Sequence, residues 1–74
     1  MSLVKKRSVT ISGHRTSYSL EQPFYDELVA LASGRRLPIA TLIAEIDAGR
    51  PRGTNLSSAI RIYILDQIKR ARSG

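Results

Sequence analysis

The sequence predicts a small α+β domain that is mostly helical, with an extended N-terminal segment followed by three helices. The segment Lys5 to Leu20 has no helical period and is rich in Ser, Thr, Val, Ile and Tyr, which is typical of extended chain. From Gln22 onward, apolar residues recur at helical spacing between Gly and Pro breakers. We expect residues 1–4 to be a flexible terminus and residues 5–74 to form a single domain.

The alternation of side chains in the extended segment changes phase at Gly13-His14. The inward positions are odd before this point and even after it: Val9 and Ile11, then Thr16, Tyr18 and Leu20. A strand keeps its parity, so the change requires either a β-bulge at Gly13 or a hairpin with Gly13-His14 as its two-residue turn. The hairpin pairs Ile11 with Thr16. The sequence leaves both open, and both predict one polar outer face: Ser8, Thr10, Ser12, Arg15, Ser17 and Ser19.

Two helices follow, each with a proline in its first turn, where the missing N–H has no cost. The first spans Gln22 to Ser33, and Gly34 is its expected stop. The second begins at Pro38 and ends at Gly49. Apolar residues recur at three- and four-residue spacing in both helices: Phe24, Leu28, Leu31 and Ala32, then Ile39, Leu42, Ile43 and Ile46.

The last segment, Asn55 to Arg72, is predicted to be a third helix. Residues 59–65 alternate well enough for a strand, but Asn55 is a good N-cap and helix formers continue without a breaker. Because apolar residues lie on most sides of this helix, we expect it between other elements or at a subunit interface. Arg61 lies in this apolar stretch, and we expect it to form a salt bridge with Asp47 or Asp66.

The size of the chain creates a stability problem. A single core of 74 residues is marginal, and the usual remedies are disulfides, a metal or oligomerisation. The chain has no Cys and one His, so it can form neither a disulfide nor a metal cage, and oligomerisation remains. No nucleophile with a base, metal-ligand spacing or phosphate loop is present. We therefore expect a protein that is not an enzyme and has no cofactor.

The charge of the chain points to a polyanion. Twelve Lys and Arg against six Asp and Glu give a net charge of +6. A charge this high on a small domain is typical of nucleic-acid binding. No apolar run approaches the length of a membrane span and no signal-peptide core follows the N-terminus, so we expect a cytoplasmic protein without a membrane partner.

The residues resemble a known family. Arg15-Thr16-Ser17-Tyr18-Ser19-Leu20, the apolar positions of the first helix and Ile39-Ala40-Thr41-Leu42-Ile43 are similar to the ribbon-helix-helix fold of MetJ/Arc-type repressors. A longer pattern, which includes Gly13-His14-Arg15 and Asn55-Leu56-Ser57-Ser58, resembles a bacterial ribbon-helix-helix subfamily of unassigned function with an added C-terminal helix.

The resemblance implies an intertwined homodimer that binds double-stranded DNA. In the family, two strands pair into an antiparallel ribbon that enters the major groove, and its outward side chains read bases. The implied readers here are Arg15, Ser17 and Ser19, and the implied phosphate contacts are the N–H groups of Ile39, Ala40 and Thr41. The implied dimer core consists of Tyr18, Leu20, Phe24, Leu28, Leu42, Ile43 and Ile46.

Two points remain open at the level of sequence. Lys5, Lys6 and Arg7 are either a solvated terminus or an arm that contacts phosphates. The protein is either a sequence-preferring DNA-binding regulator of transcription or a dimeric protein-interaction module, such as a co-regulator or an antitoxin. A basic ribbon face is expected for the first function, and an exposed apolar patch near Ile62 and Leu65 for the second.

Overall fold

The computed structural model describes residues 3–73 as a β-hairpin followed by three helices. Met1 and Ser2, within the expected flexible terminus, lie outside the described residues, whereas Val4 already belongs to the first strand. The elements in chain order are β1 (Val4–Ile11), β2 (His14–Glu21), α1 (Gln22–Gly34), α2 (Ile39–Ala48) and α3 (Leu56–Ser73). The predicted α+β class and the three helices are confirmed, and each predicted helix end lies within one residue of the observed one.

The phase change in the extended segment is produced by a hairpin and not by a bulge. β1 and β2 pair antiparallel along their whole length. The turn residues are Ser12, with a φ of 51°, and Gly13, with a φ of 80°. Positive φ at both central positions is the type I′ conformation, which matches the twist of the flanking strands.

The predicted turn was therefore wrong by one residue. Gly13 occupies the second central position, so His14 is the first residue of β2 and pairs with Ile11, while Val9 pairs with Thr16. Each strand residue consequently meets a partner two positions away from the predicted one. Because side chains alternate with a period of two, this shift leaves every strand residue on its predicted side, although the inward Thr16 is exposed. Ser12, predicted on the outer face, lies in the turn instead.

The inner face of the hairpin closes a core with the three helices. Buried side chains from β1, β2 and all helices form one cluster: Val9, Tyr18, Leu20, Leu28, Ala32, Leu42, Ile43, Ile46, Leu56, Ala59, Ile60 and Ile64. Burial raises the pKa of the Tyr18 hydroxyl, with a further contribution from Tyr25 that Arg7 opposes. The C-terminal helix thus contributes buried residues to the core, as the other elements do.

The connection from α1 to α2 depends on a left-handed residue. Gly34 is the last helical residue, and Arg36 adopts a φ of 57°. The Arg36 N–H donates to the Ser33 carbonyl at 3.0 Å, and the Leu37 N–H donates to the Ala32 carbonyl at 2.9 Å. This pair of bonds is the Schellman motif, which satisfies the last carbonyls of a helix. Arg36 therefore holds the position that glycine occupies in most helices of this kind.

The C-terminal segment is a helix and not a strand. The Asn55 side-chain oxygen accepts from the Ser58 N–H at 2.8 Å, which is the predicted N-cap bond. α3 packs against α1, α2 and β2. Its Ile60 and Ile64 are fully buried, whereas Ile62 and Leu65 are exposed.

Candidate nucleic-acid interface

The outer face of the hairpin carries two rows of polar side chains. The residues that point away from the core alternate along each strand. Between the turn and the terminal pair Val4–Glu21 they are Lys6, Ser8 and Thr10 in β1, and Arg15, Ser17 and Ser19 in β2. They form the cross-strand pairs Lys6–Ser19, Ser8–Ser17 and Thr10–Arg15. All are exposed except Ser19, which is half-buried. We call these six residues the outer ribbon face.

The outer ribbon face adjoins the start of α2. Ser8, Val9, Thr10, Arg15 and Ala40 line an open cleft of about 450 Å³. The structure therefore brings the expected base reader Arg15 near the expected phosphate donors at the start of α2, although these residues lie far apart in the sequence.

The start of α2 offers fewer free donors than the sequence predicts. The Thr41 N–H already donates to the Pro38 carbonyl at 3.1 Å, as does the Leu42 N–H at 3.2 Å. The N–H groups of Ile39 and Ala40 have no acceptor within residues 3–73. Since the amide end of a helix is electropositive, these two groups are suited to an anion such as a phosphate.

The three basic residues at the N-terminus do not share one environment. Lys6 lies on the outer ribbon face, whereas the parity of β1 places Lys5 and Arg7 on the opposite side. The Arg7 guanidinium stacks on the Tyr25 ring at 3.5 Å from its centroid and contacts Gln22 Oε1 at 3.5 Å. Arg7 is half-buried, and its Nε has no partner among the described residues. Of the three, Lys6 is the one positioned beside the expected readers.

The end of β2 is held by α3 through backbone and side-chain bonds. The Ser19 N–H donates to Ser57 Oγ at 2.8 Å, and Arg61 Nη2 donates to the Ser19 carbonyl at 3.2 Å. Arg61 also donates from Nε and Nη2 to Glu21 Oε1, at 3.0 and 2.8 Å. We call this group of four residues the α3–ribbon junction.

The salt-bridge partner predicted for Arg61 was therefore wrong. Arg61 pairs with Glu21, and neither Asp47 nor Asp66 takes this role. A hydrogen bond from the backbone N–H of Glu21 and another from Arg61 hold the pKa of the Glu21 carboxyl below its usual value. The sequence contained no local signal for this pair, because the two residues are 40 positions apart.

Two further ion pairs engage acidic side chains of α2. Arg35 donates to both carboxylate oxygens of Glu45, and this contact lowers the pKa of Glu45 and raises that of Arg35. Arg50 pairs with Asp47 at 3.0 Å and donates to the Thr54 carbonyl at 2.7 Å. Among the described residues, Lys6 and Arg15 of the outer ribbon face form no ion pair.

An apolar patch lies on the exposed surface of α3. Ile62 is 53% exposed and Leu65 49% exposed on the surface of α3. Beside them is a groove of about 320 Å³ between the end of α2 and α3, lined by residues that include Ile46, Pro51, Ala59, Ile62 and Tyr63. The patch expected for a protein-interaction module is therefore present together with the outer ribbon face.

The residues implied as a dimer core are already covered within one chain. Leu20, Leu28, Leu42 and Ile43 are fully buried, and Tyr18 and Ile46 nearly so, while Phe24 is half-buried. The Arg61 guanidinium lies 5.7 Å from the Phe24 ring centroid. Part of the cover comes from α3, whose Ile60 and Ile64 complete the cluster.

Within residues 3–73 no group of three or more His, Cys, Asp or Glu side chains is placed to hold a metal ion. The helices of this part of the chain are too short or too polar to cross a membrane.

Comparison with known proteins identifies the family. Searches of curated proteins and of solved structures find no significant match. The family model described as ribbon-helix-helix domain matches residues 4–68, which include both strands, α1, α2 and most of α3. Members of this family are generally non-enzymatic DNA-binding or regulatory modules and typically act as dimers. The match confirms the resemblance seen in the sequence, and the chain belongs to the ribbon-helix-helix domain family.

Proposed function

We propose that this protein binds double-stranded DNA with sequence preference, through the outer ribbon face, and regulates transcription as a homodimer in the bacterial cytoplasm. The observation that carries the proposal is the position of Arg15, exposed on an antiparallel ribbon beside the start of α2. The major groove of B-DNA admits a two-stranded β-ribbon.

The roles of the residues follow from their chemistry. Arg15 can donate two hydrogen bonds to the O6 and N7 atoms of guanine, which is worth about 1–3 kcal/mol of discrimination. Ser17 and Ser19 can donate or accept with several bases and specify more weakly. Lys6 and the amide groups of Ile39 and Ala40 are suited to phosphates, which position the protein without reading sequence. We propose no such role for Arg7, because its guanidinium is engaged by Tyr25.

Binding to a random DNA pool tests this function. Selection of bound fragments, followed by fluorescence anisotropy with the selected site at two salt concentrations, measures both preference and electrostatics. We expect a selected sequence that contains guanine, low micromolar or tighter binding at low salt, and weaker binding at high salt. Absence of salt-sensitive binding at low micromolar protein would disprove the proposal. Arg15→Ala is expected to weaken the preference more than the total affinity.

The alternative function is a dimeric protein-interaction module with little DNA specificity, such as a co-regulator or an antitoxin. The exposed patch of Ile62 and Leu65 beside the apolar groove favours this alternative. A double substitution, Ile62→Ser with Leu65→Ser, separates the two functions, because both residues lie on α3 and neither belongs to the outer ribbon face. DNA affinity that survives this change, and is lost in Arg15→Ala with Lys6→Ala, supports DNA binding by the ribbon.

A further inference from the structure

We infer that Arg7 is a positioning residue, which holds the N-terminal half of β1 on α1 and thereby fixes Lys6 on the outer ribbon face. The inference rests on the proposed function, in which Lys6 contacts a phosphate of DNA. Arg7 itself touches no DNA in this assignment and acts through its neighbour in the sequence.

The side chain of Arg7 joins β1 to α1. Its guanidinium lies over the Tyr25 ring, 3.5 Å from the centroid, and its Nη2 lies 3.5 Å from Gln22 Oε1. Gln22 Nε2 in turn donates to Asp26 Oδ1 at 2.8 Å, so the amide oxygen remains free to face Arg7. We call these four residues the β1–α1 clasp.

The N-terminal half of β1 has no buried apolar side chain to anchor it. From Val4 to Ser8, Arg7 is the one residue that is not exposed, and the first buried side chain of the strand is that of Val9. The first residues of a domain are poorly ordered unless contacts tie them down. Besides the backbone bonds of the hairpin, the β1–α1 clasp is the contact that can do so.

The chemistry of the β1–α1 clasp requires the guanidinium and the aromatic ring together. A guanidinium is planar, so it can stack on a ring while its N–H groups donate sideways in their own plane. Arg7 Nε is buried and has no hydrogen-bond partner within residues 3–73. The face of the Tyr25 ring therefore offsets part of the hydration that this cation loses.

The position of Lys6 depends on the same segment of backbone. Lys6 precedes Arg7 and pairs with Ser19 across the hairpin. Because successive side chains of a strand point to opposite faces, a contact that fixes Arg7 toward α1 also fixes Lys6 toward the outer ribbon face. A frayed strand end would let Lys6 leave this face, and its contact with a phosphate would be lost.

Amide hydrogen exchange tests the holding role without DNA. The pair Ile11–His14 closes the two-residue turn with hydrogen bonds, and bonded and non-bonded pairs alternate from there. The N–H groups of Lys5, Arg7 and Val9 therefore donate to β2. Their exchange rates report how often each part of β1 opens.

Replacement of the ring is expected to open the strand end alone. Tyr25→Leu keeps an apolar side chain but removes the aromatic face, and we expect several-fold faster exchange at Lys5 and Arg7 with unchanged exchange at Val9. Tyr25→Phe is the matched control, because it keeps the ring and should retain wild-type exchange at all three amides.

The salt dependence of DNA binding tests the consequence at Lys6. In the wild type, Lys6→Ala is expected to lower the slope of log affinity against log salt by about 0.9 for each chain that engages the DNA. In a Tyr25→Leu background we expect less than half of this effect, whereas a Tyr25→Phe background should retain all of it. A merely structural role of the ring would weaken binding without removing the contribution of Lys6.

A second variant tests the same clasp from the β1 side. Arg7→Met keeps a long unbranched side chain and removes the guanidinium. If circular dichroism shows that Tyr25→Leu does not fold, Arg7→Met takes its place in both experiments. We expect it to accelerate exchange at Lys5 and to diminish the effect of Lys6→Ala in the same way.

The outcomes separate the inference from the proposed function. A wild-type protein that binds no DNA overturns the function, and the exchange experiment then still decides the holding role. Unchanged exchange at Lys5 and Arg7 in Tyr25→Leu, or an equal acceleration at Val9, overturns the inference. A contribution of Lys6 that is equal in the Tyr25→Leu and Tyr25→Phe backgrounds overturns it as well.

Discussion

Two residues other than glycine have left-handed backbone angles in the described chain, and each ends an element. Ser12 begins the hairpin turn with a φ of 51°, and Arg36 terminates α1 with a φ of 57°. This conformation costs an L-residue about 1–2 kcal/mol relative to right-handed backbone. At both positions, a residue that adopts this conformation at lower cost should therefore raise the free energy of unfolding.

Replacement of Arg36 by glycine is expected to stabilise the protein. Arg36→Gly removes the left-handed penalty while the Schellman bonds stay in place, and we expect a gain of about 1 kcal/mol in the free energy of unfolding. Urea denaturation measures it. Arg36→Ala is the control, since it removes the same charge but keeps the Cβ. Equal stability of the two variants would contradict the explanation.

The reverse effect is expected at Gly13. A Cβ at this position meets no atom within 4 Å, so Gly13→Ala changes only the backbone preference at a φ of 80°. We expect a loss of about 1 kcal/mol by urea denaturation. Gly34→Ala is the matched comparison, because it also meets open space but lies in helical backbone. It is expected to gain about 0.5 kcal/mol, and a loss of the same size in both variants would refute the role of the turn.

At the scale of elements, most of the fold could be predicted because its signals are local. A proline in the first turn of α1, another at the N-cap of α2, the Asn55 cap and helical apolar spacing located the three helices to within one residue. The parity change located a break in the extended segment. The choice between bulge and hairpin could not be made from the sequence. It depends on whether Val4–Ile11 pairs with the following strand, and the side-chain pattern is the same in both cases.

The contacts between elements were the part that the sequence could not predict. The Arg61–Glu21 pair joins α3 to the end of β2, and its geometry depends on the packing angle of α3 and not on spacing. The same holds for the stacking of Arg7 on Tyr25, which engages a guanidinium that lies, with Lys5, on the side opposite the outer ribbon face. Parity alone could have indicated that Lys6 and Arg7 face opposite sides.

The ion pairs that join elements predict an acid-sensitive stability. The backbone N–H of Glu21 and then Arg61 lower the pKa of the Glu21 carboxyl, and Arg35 lowers that of Glu45, each from an ordinary value of 4.5. The unfolded chain therefore binds protons more readily than the folded one. The stabilisation is complete above pH 4.5 and is lost as the pH falls through the lower pKa values of the folded state.

Urea midpoints at pH 7 and pH 3.5 measure this effect. We expect the wild-type midpoint to be lower at pH 3.5 than at pH 7. We expect the double variant Glu21→Gln with Glu45→Gln to show a smaller decrease. Glu27→Gln is the control, because Glu27 is exposed on α1 and forms no ion pair within residues 3–73. The same fall in all three proteins would contradict the assignment.

At the scale of the whole molecule, α3 supplies buried apolar side chains that stabilise a short chain without disulfides. Its buried residues complete a core that β1, β2, α1 and α2 leave open. Ile60→Ala is expected to cost about 2–5 kcal/mol, a large part of the stability of a domain this small. Ile62→Ala on the same helix is exposed and should cost less than about 0.5 kcal/mol. Thermal denaturation compares the two, and similar losses would show that α3 packs differently.

Two adjacent lysines lie on opposite sides of the hairpin, and we expect them to contribute differently to the salt dependence of DNA binding. Lys6 lies on the outer ribbon face and Lys5 on the opposite side. Each phosphate contact contributes about 0.9 to the slope of log affinity against log salt concentration for B-DNA. We expect Lys6→Ala to reduce this slope by about 0.9 for each chain that engages the DNA, whereas Lys5→Ala, which removes the same charge, should reduce it less. Fluorescence anisotropy across a salt series gives both slopes. Equal reductions would mean that the net charge, and not the face on which it lies, determines the affinity.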